Sequence, residues 1–168
     1  IPARSTAVME FSVYASRDKW GKNNYWATPV INGNRYTATD GAKAIGVWAF
    51  TRENFNNLTQ EQRNNGPIPI FDESTFSFGR VKQGTVVHAT FKAGNEGKEP
   101  LKIYKVDINA CKWSHSAFPA VAPREEVEFR VHLDTSKMPK GEALAIVTLI
   151  TNSPLRPIVN LYIAGWLD

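Results

Sequence analysis

The chain has 168 residues, of which 42% are hydrophobic, 11% aromatic and 21% charged, enough for one domain or two small ones. Its formal net charge is +4, and the basic residues are scattered from Arg4 to Arg156; a nucleic-acid binder gathers them on a stripe, so that class is set aside. The single cysteine, Cys111, excludes an internal disulfide, and no apolar run approaches the roughly 20 residues of a membrane helix.

In chain order, "AVMEFSVYA" sets Val8, Glu10, Ser12 and Tyr14 against Met9, Phe11, Val13 and Ala15, an alternation that predicts a first strand. "YWATPVI" predicts a second, weakened by Pro29, which has no amide hydrogen for a ladder. "NGN" marks a turn, and "AIGVWAF" predicts a third strand. Residues 51–67 change character. Thr59 with Gln62 three positions on has the form of a capping box, and Asn64, Asn65, Gly66 and Pro67 end whatever helix it starts. One or two helical turns are expected there, as a linker over residues 51–69 between two β units.

Beyond it, "PIPIF", "STFSFG", "TVVHATFKA", "PLKIYKVDI", "VEFRVHLD", "ALAIVTLIT" and "PIVNLYIAGWL" are separated by turn-forming segments. Some seven strands without an intervening helix is the pattern of a sandwich of two antiparallel sheets. Alternation places Val87, Ala89, Phe91, Ile103, Val106, Phe129, Val131, Ile146, Thr148 and Ile150 in its core. "LAIVTLI" is apolar on both sides, as a central strand is.

The chain also resembles itself. Moved by about 118 residues, "MEFSVYASRDKWGK" falls on "VEFRVHLDTSKMPK". Glu10 then meets Glu128, Phe11 meets Phe129, Val13 meets Val131, Ile45 meets Ile163 and Trp48 meets Trp166. On this reading residues 1–50 are the last three strands of a truncated first unit, and residues 70–168 form a complete second one. Three strands with a bare apolar face make a poor independent fold. The missing strands are expected from a segment lost ahead of residue 1, or from complementation by a strand-swapped second copy.

The second unit carries "FSFGRVKQG", Phe91, "NEGKEPLKI", Val106, Cys111, Pro123, "DTS", "TNSP" and the closing "IAGW", in that order. Over residues 70–168 this resembles the bacterial family called domain of unknown function 1573, common in exported proteins of Bacteroidetes. "LTQEQRNNGP" is similar to a stretch that often precedes the domain in that family. The resemblance implies an all-β fold, an immunoglobulin-like antiparallel sandwich, located in the periplasm or at the surface of a Gram-negative bacterium, with no established activity. Many members have Cys-Gly-Cys where this chain has Cys111-Lys112-Trp113, so a paired-thiol or metal role does not carry over. Within the sandwich, Asn95 and Gly97 are expected to adopt the positive φ of a hairpin turn.

Chemistry-bearing residues are sparse. Cys111 with His115 is the one Cys–His combination close in sequence, and a thiol needs such a base to become a nucleophile. His88 and His132 lie within expected strands, where histidine is ordinarily a packing or surface residue. One Cys and three scattered His lack the paired spacing of a zinc site. Neither a catalytic site, a cofactor nor a metal is therefore assigned. Aromatic residues remain. Trp20, Tyr25, Trp26 and Tyr36 crowd the first unit near Arg35 and form the candidate ligand-binding region. Tyr25 and Trp26 straddle a strand, so one is core and the other surface, and Trp48, Trp113 and Trp166 are expected to pack or cap the sandwiches. The expected partner is a protein or a glycan at the cell envelope, with a non-catalytic scaffolding or adhesive role or, alternatively, that of a carbohydrate-binding accessory module.

Overall fold

The computed structural model describes residues 4–8, 10–14, 16, 19–35, 45–110 and 112–168. They fall into two compact units, residues 1–51 and 52–168.

In the first unit, β1 (Gly21–Ala27) pairs antiparallel with β4 (Ile45–Thr51). Pro29 stands between β1 and β2 (Val30–Ile31), which turns through Asn32-Gly33 into β3 (Asn34–Arg35). Both turn residues have positive φ, 51° and 81°. That is the Asn-Gly turn whose twist matches a two-residue hairpin. The strand expected over residues 7–15 is not formed by those of its residues that are described. Alternation supplies one-sided burial, but a ladder also needs a partner strand, and Val8 and Tyr14 stand 92% and 87% exposed.

The second unit begins with the expected helix, α1 (Gln60–Asn65). The Thr59 hydroxyl accepts the Gln62 amide, and the Gln62 side chain accepts the Thr59 amide, so both halves of the capping box are present. Eight strands follow: β5 (Pro69–Phe71), β6 (Thr75–Val81), β7 (Val86–Asn95), β8 (Ile103–Ile108), β9 (Trp113–His115), β10 (Glu126–Asp134), β11 (Gly141–Thr151) and β12 (Ile158–Leu167). One sheet has the order β5-β7-β10-β9 and the other β6-β12-β11-β8. Every pairing is antiparallel except β6 with β12. The first strand of the sandwich thus starts in one sheet as β5 and crosses to the other as β6.

Val87, Ala89 and Phe91 of β7 and Phe129, Val131 and Leu133 of β10 face Ala145, Val147 and Leu149 of β11 and Val159, Leu161 and Ile163 of β12. Each large apolar side chain buried here contributes about 1.5–3 kcal/mol. Six of the residues assigned to the core from alternation belong to it, Ile103 packs against it half-buried, and Ile150 is buried. Ile146 and Thr148 do not belong. β11 is central and apolar on both faces, so alternation could not choose its register, and Ala145, Val147 and Leu149 are the inward residues.

Asn95 and Gly97 also depart from expectation, since neither has positive φ. Asn95 is 1% exposed and uses its whole side-chain amide. Its Oδ1 accepts the Ile68 and Gly97 amides at 3.1 and 3.0 Å, and its Nδ2 donates to the Glu99 and Val121 carbonyls at 2.8 and 3.0 Å. Gly97 is demanded by proximity: a Cβ there would run into the Gly66 carbonyl and stand 2.6 Å from Pro67 Cα. Leaving buried partners unpaired costs about 1–3 kcal/mol each. Asn95→Ala is therefore expected to lose at least about 3 kcal/mol in chemical denaturation, and Asn95→Asp, which keeps the acceptor, is also expected to be destabilised.

A second, surface interaction fixes the end of β10. Asp134 caps a single 3-10 turn at 135–137, accepting the Ser136 amide at 2.8 Å. Its carboxyl is held down to about 2 from the usual 3.8 by hydrogen bonds from the Ser136 hydroxyl and amide, with a smaller part from Lys112. A carboxylate lowered on folding stabilises the native state above its unfolded value and stops doing so as pH falls through its folded value. The stability difference between wild type and Asp134→Asn should accordingly be present at pH 5 and shrink as the pH is lowered from about 4 to about 2. Urea titrations across that range measure it.

Candidate functional site

The candidate region is built on the β1–β4 ladder. Successive side chains point to opposite faces. Lys22, Asn24 and Trp26 of β1 share one face with their partners Phe50, Trp48 and Gly46 on β4. Trp26 is 69% exposed and Trp48 66%. Gly46 lets the Trp26 indole lie down on the backbone opposite, since a Cβ at 46 would meet its Cζ3 at 2.7 Å. Lys22 Nζ stands 5.8 Å from the centre of the Trp48 ring, within reach of a cation–π contact. The result is an exposed aromatic row of Trp26, Trp48 and Phe50 with an ammonium and an amide among the rings.

Tyr25 points to the opposite face, across from Val47. Its hydroxyl is buried and has no hydrogen-bond partner among the described residues, and Lys19 Nζ lies 5.3 Å from its ring centre. A groove of about 250 Å³ on this unit is lined by Phe11, Val13, Tyr14, Tyr25, Trp26 and Ala27, with Ser12. Trp20, half-buried, immediately precedes β1, and Arg35 is exposed on β3. Tyr36 lies outside the described residues. The ladder therefore divides the sequence candidates: Trp26 stands on the outer aromatic row and Tyr25 opposite it.

Of the tryptophans expected to pack or cap, Trp48 does not pack but belongs to the exposed row, and Trp166 of the second unit stands 45% exposed with Arg80 5.6 Å from its ring centre. Trp113 does pack, half-buried against the core. Trp48 and Phe50 were missed as candidates because nothing in a single strand shows what stands beside it on the next. Of the histidines, His115 is exposed, stacked on Trp113 and hydrogen-bonded through Nδ1 to the Ser116 carbonyl. Cys111 lies outside the described residues, so the Cys–His combination is not placed. His88 and His132, read separately as surface or packing residues, stand side by side. Among the described residues, no three His, Cys, Asp or Glu side chains gather as a metal site, and no helix is long and apolar enough to cross a membrane.

Two four-stranded antiparallel sheets, with the first strand shared between them and its second half parallel to the last, define an immunoglobulin-like β-sandwich. The chain belongs to the family described as "Protein of unknown function (DUF1573)", whose pattern matches residues 69–167. Among solved structures it is similar to a protein of unknown function from Porphyromonas gingivalis W83. That match has a TM-score of 0.66 and 16% identity, over 89% of this chain and 67% of the other. Weaker likenesses include the ASH/PapD-like domain of human CEP192 (TM-score 0.49, 8% identity, 71% of this chain and 96% of that one). The YadV chaperone is another (0.45, 11%, 60% and 52%). No curated protein matches the chain. At 16% identity the first of these, from Porphyromonas gingivalis, speaks for the fold alone.

Proposed function

We propose that this is a non-catalytic, exported protein of a Gram-negative cell envelope that works by binding a partner through the outer aromatic row of its first unit. One observation carries the reading. The β1–β4 register is the β11–β12 register displaced by the offset of the internal resemblance. Asn24↔Trp48 corresponds to Glu142↔Trp166, Trp26↔Gly46 to Leu144↔Ala164, and Ala27↔Ile45 to Ala145↔Ile163. This supports reading the first unit as a partial copy of the sandwich, and it says which face is which. Tyr25, Ala27 and Ala49 correspond to Ala143, Ala145 and Leu167, all buried, whereas Trp26 and Trp48 correspond to the exposed Leu144 and Trp166. Exposed core aromatics of an incomplete domain would imitate a binding patch, but Trp26 and Trp48 hold outward positions. The inward side, with Tyr25 and Ala27, is the side that strands from a second copy would complete.

Large rigid rings on a flat surface, with polar groups between them, suit protein hot spots and the apolar faces of sugar rings alike. The aromatic row with Asn24 favours the glycan form as the second reading. Trp26→Ala and Trp48→Ala change exposed side chains, so stability should move by no more than about 0.5 kcal/mol. Binding to isolated envelope material, measured by surface resonance, should fall by at least about 30-fold, the effect of losing one hot-spot residue. Unaltered binding by the double variant would remove the proposal. A glycan array then separates the forms: signals lost with Trp26→Ala assign a sugar ligand, and silence leaves a protein partner.

A further inference from the structure

His88 of β7 and His132 of β10 are 44 residues apart in sequence and directly opposite in the sheet. Their strand neighbours Val87, Ala89, Val131 and Leu133 are buried, so both imidazoles point out of the sandwich. The two Nδ1 atoms face each other at 2.5 Å, with ring centres 4.7 Å apart at 75°. At most one proton fits between them. Two ring nitrogens are thus brought to one point by the rigid backbone of a central strand pair, which lowers the ordering cost of any third body they share.

We propose that His88 and His132 form a surface site for a divalent transition-metal cation, copper(II) ahead of zinc(II). Imidazole nitrogens bind these ions at about 2.0 Å. Adjacent ligands then stand about 2.8–2.9 Å apart on a square-planar ion and about 3.3 Å apart on a tetrahedral one. From 2.5 Å, small ring rotations reach the first spacing before the second. Square-planar nitrogen and oxygen sites select copper(II) or nickel(II), and copper(II) heads the general affinity order. Water completes the coordination, with Ser114, opposite His132 on β9, beside it in the same row. The neighbouring charges are already paired. Arg130 holds Glu128 at 2.9 Å, and Lys112 holds Asp134 at 3.3 Å, so no free cation of β10 opposes a second one.

The experiment uses the untagged chain in a Cys111→Ser background, so that the thiol cannot supply a site. Copper(II) chloride is titrated at neutral pH by calorimetry, and the complex is examined by electron paramagnetic resonance. Wild type is expected to take one copper(II) per chain with hyperfine coupling from two nitrogens, and to bind zinc(II) more weakly. His88→Gln or His132→Gln should weaken copper binding at least tenfold and leave coupling from one nitrogen. His115→Gln should change neither. Unfolding midpoints of the metal-free variants verify that the outward substitutions leave the fold intact. The proposal is overturned by stoichiometric binding that survives in the double His variant, by zinc(II) binding more tightly than copper(II), or by no saturable binding up to about 1 mM copper(II), the weak end of the affinity scale.

Discussion

The buried amide of Asn95 decides how the chain enters its sandwich. It sits at the end of β7 and holds the backbone leaving α1, the loop that follows β7, and the connection before β10. Nearby backbone bonds run the same way: the Glu96 amide donates to the Ile68 carbonyl and the Lys98 amide to the Asn65 carbonyl. Gly97 allows this approach, and Gly66 allows another, since a Cβ there would stand 2.8 Å from Pro154 Cδ. A fully satisfied polar group in a dry interior tolerates little displacement. With Ile68 fixed, Pro69 to Phe71 have one place to pair, the edge beside β7, and the chain must then cross to the other sheet to become β6. The two-layer core follows from that entry. The helical segment is tied to the sandwich by the same contacts and shares its compact unit.

What was legible in the sequence and what was not divide along a physical line. Local chemistry was legible. The capping box of Thr59 and Gln62 and the Asn32-Gly33 turn each involve residues within three positions of one another. So were the strands of the second unit and the central place of β11, because alternation and two-sided hydrophobicity are properties of one segment. Register was not. Ile146 and Ala145 are equally plausible inward residues until β8 and β12 are placed on either side. Asn95 was read as a turn former from its type and its glycine neighbour. Its partners include Ile68 and Val121, and no local pattern announces bonds of that span. The strand expected from Val8 to Tyr14 shows the same limit from the other side: its alternation is sound, but a ladder partner is not a property of the segment.

The same line separates the two halves of the candidate chemistry. Individual aromatics and histidines are visible in any sequence, but here their significance comes from cross-strand neighbours. Trp26 gains its meaning from Gly46, Lys22 from Trp48, and His88 from His132. The internal resemblance is the one sequence signal that reached this level. It fixed an offset between two stretches, and the offset reproduces a pairing register that neither stretch encodes alone.

The histidine pair stands on an outer face for a reason built into the fold. In the second unit the buried polar residues are Asn95, Thr135, Thr151 and Ser153, none of which carries a charge. All four engage in hydrogen bonds within the fold. The space between the sheets is filled by Val, Leu, Ile, Ala and Phe side chains, which leave nothing to polarise a substrate. A sandwich closed in this way offers its loops, its edges and its two outer surfaces. On an outer surface, side chains that meet across a ladder are held about 5 Å apart by rigid backbone and can act together without reorganising. A pair of converging imidazoles, as His88 and His132 are, is what such a surface can present.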